Sequence, residues 1–461
     1  MLSIRRSQTL ILTAAVSLIL LTFLSWNDAD YVSYLTPPAD RGHKEEEAIR
    51  AIDQRYCGGP CRFLLPVFIV EQESKAQMHF RQLAFTAGLV NRTIVLPNVG
   101  NSRLGACSEH EFGFYYSHEW LDNNRGHFNY ITLQHFKAWL EERKAVGRKP
   151  TSQDVTLQLE PTRRHFSDDQ VNCWQPWLDT AGLPPQHLDL ADRESSSGLE
   201  IQNKIVSFLK GQPTKDQVHQ EVQIGTDLEV ISVFYDRRFP FIQNPAAQTA
   251  LSYSEQLTAV SRDIANSIHP YLAIHWRTER IEPAYNLELC ARSLVDKIQG
   301  IAPTIPNVFL LTDYPHLLNS SIAQTQNGTS TSFRPSQISE SHHAAIRYLY
   351  EHAHVMLTTF IGSNEVPDDL PANWTLLHLP YVKNANGDVV IGDKGVLGII
   401  DKLMAMQGHW FLAGQPGVCG RSSSFTNRIV AERESLLDSN QAWFGNVVDY
   451  FNLPEQAAME T

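Results

Sequence analysis

The sequence predicts an α/β protein with parallel sheets, in two successive globular parts. Two observations carry that prediction. Residues 63–97 read as apolar run, helical spacing, apolar run, which is the pattern of a βαβ unit. A second alternation of the same kind begins near Ser252 and continues to about Glu434. Alternating strands and helices on this scale call for parallel strands joined by crossover helices.

In chain order, Phe63–Val70 (FLLPVFIV) is a short apolar run bounded by Gly and Pro, as a buried strand should be. Gln77–Val90 repeats apolar residues at Phe80, Leu83, Ala84, Ala87 and Val90, which predicts an amphipathic helix. Thr93–Leu96 is the next strand, ended by Pro97. Between Gly100 and Asn244 the periodicity loosens. Aromatic residues and His scatter through Glu109–Trp120, Ser195–Gly198 reads as a loop, and Asp227–Tyr235 is a strand. The aromatic cluster Phe112–Trp120 suits either an acceptor groove or ordinary core.

In the second series, Tyr253–Ile268 has helical spacing and Pro270 stops it. Tyr271–His275, Asn307–Leu311, His354–Thr359 and Leu376–His378 are expected strands. Leu287–Ile298 and Ser339–Glu351 are expected helices.

The N-terminus is of another kind. Thr9–Trp26 is almost wholly apolar, with Arg5 and Arg6 before it and Asp28 and Asp30 after it. That length and charge asymmetry predict an uncleaved type II signal anchor, with a cleaved signal peptide as the rival. The expected division is a cytoplasmic tail at 1–8, the transmembrane anchor at 9–26 and a polar stem at 27–47. An α/β domain at 48–250 and another at 251–455 follow. Six cysteines and sequons at Asn91, Asn319, Asn327 and Asn373 suit an oxidising lumen. Cys57 and Cys61 are spaced to close a small loop. The net charge of -12 argues against general nucleic-acid binding.

Three segments carry chemistry. Cys419–Glu434 (CGRSSSFTNRIVAERE) follows the apolar run Trp410–Ala413 and reads as strand, small-residue turn, helix start. Backbone N–H groups at such a helix N-terminus, with Ser hydroxyls beside them, form an anion cradle; a plain Ser cap is the simpler reading. Tyr271–Arg280 (YLAIHWRTER) is a strand ending in His275 and Arg277. Ligands of open α/β sheets sit outside the carboxyl ends of strands. Arg277 can there grip phosphate oxygens, or simply pair with an acid such as Glu279. Asn307–Asp313 (NVFLLTD) ends in Thr312-Asp313 in the same way.

Taken in order, these segments resemble the GDP-fucose protein O-fucosyltransferases and the fucosyltransferase superfamily around them. The resemblance runs through HF-x-x-LAF-x-AGLVNRTIVLP (His79 to Pro97), the H-x-R strand YLAIHWR and the helix opened by Leu289-Cys290. It continues through NVFLLTD and ends at Asp401–Phe411 with SSSFTNRIVAERE. It implies a GT-B-like fold, two Rossmann-like domains facing a cleft, with GDP-fucose as donor and inverting transfer. It places Arg277 at the β-phosphate, His275 at the nucleotide site and Ser423, Ser424 and Phe425 at the phosphates and fucose. Asp401 is placed toward the nucleoside, and Asp313 beside the site. A disulfide between Cys290 and Cys419 would fix the cradle against the H-x-R strand.

No metal or other cofactor is expected. The only Asp-x-Asp, Asp28–Asp30, lies in the stem. The His pairs at 110/118, 342/343 and 352/354 lack zinc-site spacing.

The family's Gly-Arg-Phe-Gly-Asn loop is replaced here by Glu71-Gln72-Glu73-Ser74-Lys75. Glu71 or Glu73 could act as the base toward an acceptor hydroxyl; the alternative is a solvated acidic turn before a helix. The resulting expectation is a membrane-anchored Golgi or endoplasmic-reticulum enzyme moving fucose from GDP-fucose to a protein Ser/Thr hydroxyl. Its acceptor would be a glycoprotein or folded protein domain. The alternatives are α-1,6-type transfer to a glycan and a non-catalytic GDP-sugar-binding lumenal protein.

Overall fold

A computed structural model of the chain describes residues 38–158, 171–180, 182–190, 198–212, 224–225, 227–236, 240–314, 337–360 and 374–454. The expected anchor at 9–26, the sequons at Asn319, Asn327 and Asn373, and residues 195–197 lie outside them. Among the described residues no helix is long and apolar enough to cross a membrane.

The elements in chain order are α1 (Pro38–Cys57), β1 (Phe63–Ile69), α2 (Glu73–Leu89), β2 (Thr93–Val95), β3 (Asn98–Gly100), β4 (Arg103–Gly105), α3 (Glu119–Asn123) and β5 (Tyr130–Ile131). Next come α4 (Leu133–Ala145), β6 (Ser152–Gln158), β7 (Gln186–Asp189), α5 (Gly198–Leu209), β8 (Val230–Asp236), α6 (Pro245–Gln248), α7 (Glu255–Ile268) and β9 (Tyr271–Trp276). They are followed by α8 (Asn286–Ile301), β10 (Asn307–Thr312), α9 (Glu340–His352), β11 (Met356–Phe360), β12 (Thr375–Leu379), β13 (Val382–Lys383) and β14 (Val389–Val390). The last are α10 (Lys394–Gln407), β15 (Trp410–Gly414), α11 (Ser424–Asp438) and β16 (Asp449–Phe451).

The chain divides into two compact units. Among the described residues the smaller holds 38–61, 134–150 and 177–179. Its centre is the carboxylate of Asp53, which accepts from Trp139 Nε1 at 2.9 Å, Arg143 Nη1 at 3.0 Å and the Cys61 amide at 3.2 Å. Arg143 is fully buried, so this ion pair is charge compensation inside a core rather than a surface ornament. Cys57–Cys61 closes the small loop the spacing suggested. Helix α1 begins at Pro38, a residue suited to the first helical position, and so takes in residues 38–47 of the expected stem.

The larger unit contains two large sheets and a separate antiparallel β13–β14 pair. In the first, β5-β2-β1-β8-β6-β7 lie side by side and parallel, and the β3–β4 hairpin joins antiparallel at the end of β1. The chain moves outward from β1 on one side, then fills the other, so the order reverses between β1 and β8. In the second sheet the order is β12-β11-β10-β9-β15-β16, all parallel. Its reversal lies between β9 and β15.

The strands read from apolar runs are present within three residues at each end, and full burial on both faces of the central ones, such as β8 and β9, removes any polar alternation. Strand β6 does not show in the apolar pattern, because Ser152, Gln153 and Asp154 break it. All three have side-chain partners: Ser152 with Ser232, Gln153 with the Pro184 carbonyl, Asp154 with Asn172. Phe112, Phe114, Tyr115, Tyr116 and Trp120 are buried core, not a groove lining. Helix α2 starts at Glu73, four residues ahead of the predicted Gln77.

Candidate anion-binding site

The reversal between β9 and β15 is where an open parallel sheet presents a crevice to ligands. Strand β9 ends there with His275 and Trp276, and Arg277 follows. Strand β15 ends at Gly414, and a tight loop carries the chain to Ser423, the N-cap of α11.

That loop is folded back onto the end of β9 by backbone and covalent ties. A Cβ on Gly414 would lie 2.4 Å from the Cys419 carbonyl oxygen, and one on Gly420 would lie 2.7 Å from that of Gly414. Only glycine permits this approach. The Trp276 indole donates to the Cys419 carbonyl at 2.9 Å, the Arg421 amide donates to the Arg277 carbonyl at 3.3 Å, and Cys290–Cys419 anchors the loop to α8. The third disulfide of the described chain, Cys107–Cys173, ties the residues after β4 to those after β6.

His275, Arg277 and the Ser423–Phe425 helix start come together at the reversal, Asp313 lies behind them at the end of β10, and Asp401 contacts β11 instead. The ring of His275 stacks on Phe425 at 4.9 Å between centroids, and its Nδ1 lies 2.7 Å from Thr426 Oγ1. Burial, reinforced by the charge of Arg277, pushes its pKa down to about 3, so the imidazole is neutral at physiological pH. Ser423 Oγ accepts from the Phe425 amide at 3.1 Å, an N-cap that leaves the remaining first-turn amides outside the intrahelical ladder. Ser424 is the first residue of α11.

Arg277 pairs with Glu279, and its side chain is 24% exposed. The pair is not a surface contact, because Glu279 is only 4% exposed. The same Glu279 oxygen also accepts from Arg421 Nη1 at 2.5 Å. Asp313, at the end of β10, accepts from the Thr278 amide at 2.8 Å, the Thr278 hydroxyl at 3.0 Å and the Glu279 amide at 3.1 Å. It therefore pins the turn behind Arg277. Burial pushes its pKa up to about 6, although those donors pull the other way. Asp401, on α10, accepts from the Thr358 hydroxyl of β11, and burial raises its pKa to about 7.

Glu71 and Glu73 stand at the other reversal, just past β1. Glu71 has a φ of +88°, uncommon for a non-glycine residue, and its carbonyl accepts from Arg103 at 2.9 Å. Its side chain is 21% exposed and lies 3.7 Å from Lys75 Nζ. Glu73 is no solvated turn residue. Its carboxylate accepts from Lys402 Nζ at 2.5 Å, Tyr116 OH at 2.8 Å and Gln77 Nε2 at 3.0 Å, all buried. Burial pushes the Glu73 pKa up, but the charge and hydrogen bonds of Lys402, with Tyr116 and Ser74, outweigh it and hold the group below the ordinary carboxylate value.

Lys402 also donates to Ser74 Oγ at 2.7 Å and Tyr253 OH at 2.8 Å, and lies 5.1 Å from the Phe425 ring centre. It thus links the two reversals. The sequence carries a signal for it: a Lys on the apolar stripe of VLGIIDKLMAM requires a buried acid as partner. Arg421 and Thr426 lie inside the predicted cradle but had no role in its sequence reading.

His342 and His343 have ordinary partners. His342 completes the capping box of α9 with Ser339, and His343 Nδ1 lies 2.6 Å from Tyr314 OH. Among the described residues no cluster of His, Cys, Asp and Glu could hold a metal.

Fold and site together define an α/β protein with two large, mainly parallel sheets and a candidate anion site at a sheet reversal, where Arg277 and Arg421 lie beside a helix N-terminus. No protein-family model matches the chain, and no curated protein matches it. Solved structures do. The chain is similar to POFUT1 in complex with GDP-fucose, at 10% identity and a TM-score of 0.46, over 87% of this chain and 100% of that one. It is also similar to POFUT1 in complex with GDP, at 12% identity and a TM-score of 0.44, over 85% and 99%. For the apo form of POFUT1 the values are 11%, 0.42, 81% and 95%.

Proposed function

We propose that this chain is an inverting, metal-independent fucosyltransferase that moves fucose from GDP-fucose to a Ser or Thr hydroxyl of a protein acceptor. The convergence of Arg277, neutral His275 and the Ser423–Phe425 helix start at one sheet reversal carries the reading. The donor's identity rests on the ordered resemblance of the sequence blocks. In this reading the two sheets form the facing domains of a GT-B fold, and the nucleotide lies over the β9/β15 reversal.

The acceptor oxygen attacks fucose C1 from the face opposite the diphosphate and loses its proton to a carboxylate. The C1–O bond to the β-phosphate breaks, and the electron pair leaves with GDP. Arg277 and the α11 N-terminus, fixed before reaction, stabilise that developing charge; such preorganised donors need no metal. We assign the base to Glu71, because the Glu73 carboxylate is engaged by Lys402. Ser424 and Phe425 bound the fucose, Asp401 faces the nucleoside, and Asp313 holds the turn behind Arg277. The enzyme would work in the lumen of the Golgi or endoplasmic reticulum, tethered by residues 9–26.

The test is a donor screen on the purified protein, with GDP-fucose beside other nucleotide sugars, reading transfer and donor hydrolysis. Turnover of GDP-fucose above the others supports the proposal, and turnover of a different donor alone overturns it. The engagement of Glu73 favours one second reading, a non-catalytic GDP-sugar-binding protein. Binding of GDP-fucose with neither transfer nor hydrolysis would establish that reading.

A further inference from the structure

The surroundings of Arg421 set it apart from an ordinary surface arginine. It follows Gly420 in the loop that Cys290–Cys419 and Trp276 hold against the end of β9. Its amide is bonded to the Arg277 carbonyl, so the two residues are neighbours through their backbones. Their side chains then meet again, since Arg277 Nη2 and Arg421 Nη1 both donate to Oε1 of Glu279.

Two guanidiniums on one carboxylate oxygen is an arrangement that charge repulsion opposes. It persists here because Glu279 is buried and its amide is itself bonded to Asp313. Each guanidinium has five N–H donors, and each gives one of them, Nη2 or Nη1, to that oxygen. Arg421 remains 41% exposed, beside the α11 N-terminus. A pair of planar, permanently charged forks at a helix N-terminus matches a ligand with two adjacent phosphates.

We propose that Arg421 is a second phosphate ligand, so that Arg277 and Arg421 together grip both phosphates of a nucleoside diphosphate. This rests on the nucleotide site proposed above and extends it to a residue that the sequence resemblance does not assign. Arg421 contributes at the ground state and at departure of the diphosphate, while guanosine, which has no phosphate, does not engage it.

The experiment is calorimetric titration of the full chain and its Arg421→Ala and Arg421→Lys variants with GDP and with guanosine. A charge-assisted hydrogen bond implies a loss of about 10- to 100-fold in GDP affinity for Arg421→Ala. Guanosine affinity should stay within about twofold, because that ligand lacks the group concerned. Arg421→Lys should recover only part of the loss, since a point charge cannot form the fork. Unchanged thermal unfolding of the variants confirms that the fold is intact.

Wild-type-like GDP binding by Arg421→Ala, with the wild type binding GDP, overturns this inference and leaves the site standing. Equal loss for GDP and guanosine also overturns it, because the effect would then be a structural one. Failure of the wild type itself to bind GDP overturns the proposed site.

Discussion

Replacing Lys402 with Met should destabilise the protein strongly, in a way that depends on pH. Met keeps the length of the side chain and removes its charge. Glu73 then keeps Tyr116, Gln77 and Ser74 as hydrogen-bond donors but loses the only cation that contacts it among the described residues. Breaking a buried ion pair by removing one partner costs about 3–5 kcal/mol. In the wild type, the lowered pKa of Glu73 gives stability that is present above its ordinary value of 4.5 and fades as pH falls through the folded value. The raised pKa of Lys402 gives stability present below 10.5 that fades as pH rises through its folded value. The pair therefore supports the fold across the whole range between. In Lys402→Met, burial of Glu73 is opposed only by hydrogen bonds and the more distant charge of Arg81, so its pKa rises and protonation relieves the penalty. The variant's deficit should be largest at pH 7 to 8 and shrink toward pH 5. Adding Glu73→Gln should restore most of the loss, because a neutral buried pair leaves no uncompensated charge. Urea unfolding followed by circular dichroism at several pH values is the assay. A deficit below about 1 kcal/mol at pH 7, or one that does not change with pH, would show that Glu73 and Lys402 do not depend on each other for their charge.

Further outcomes follow from the same geometry. Arg277→Ala, with its fold intact, should lower transfer by about 10²–10³ in kcat, the usual cost of one charge-stabilising donor; wild-type-like turnover would remove Arg277 from the chemistry. Asp401 has a folded pKa of about 7 against 3.8, so the native state holds its proton more tightly and wild-type stability falls as pH rises through that interval. Asp401→Asn should therefore melt above the wild type at pH 8 and lose that advantage near pH 4, and parallel melting curves would contradict the assignment. Replacing both Cys290 and Cys419 with Ser opens a link of 129 residues and should cost on the order of 3–5 kcal/mol. It should also weaken GDP binding, because the loop carrying Arg421 and Ser423 loses its anchor; unchanged affinity in the folded variant would show that the anchor is not needed for the cradle.

Much of the second sheet was legible in the sequence. Its central strands β9, β10 and β15 are buried on both faces and therefore read as continuous apolar runs, and the ends of β9 and β10 carry the polar residues that matter: His275 and Arg277, then Thr312 and Asp313. The helix start at Ser423 was legible because Ser is a preferred cap and its neighbours are small. Residues whose roles come from distant partners were not. Lys402 and Glu73 are 329 positions apart, and neither shows from its own segment that it faces the other. Glu279 reads as a surface acid beside Arg277, and only the packing of Asp313 and Arg421 shows that it is buried. Strand β6 was hidden for a related reason. Its polar residues are satisfied by Ser232 of β8 and by Pro184 and Asn172 in loops, which local periodicity does not encode.

In the proposed enzyme a nucleoside diphosphate sits at the β9/β15 reversal. Amide hydrogen exchange with and without saturating GDP tests it most directly, because it reports where binding occurs whether or not transfer follows. Protection should appear at Thr278 and Glu279 and across Arg421–Thr426. Tight GDP binding with protection confined to other segments, and none at these amides, would contradict it.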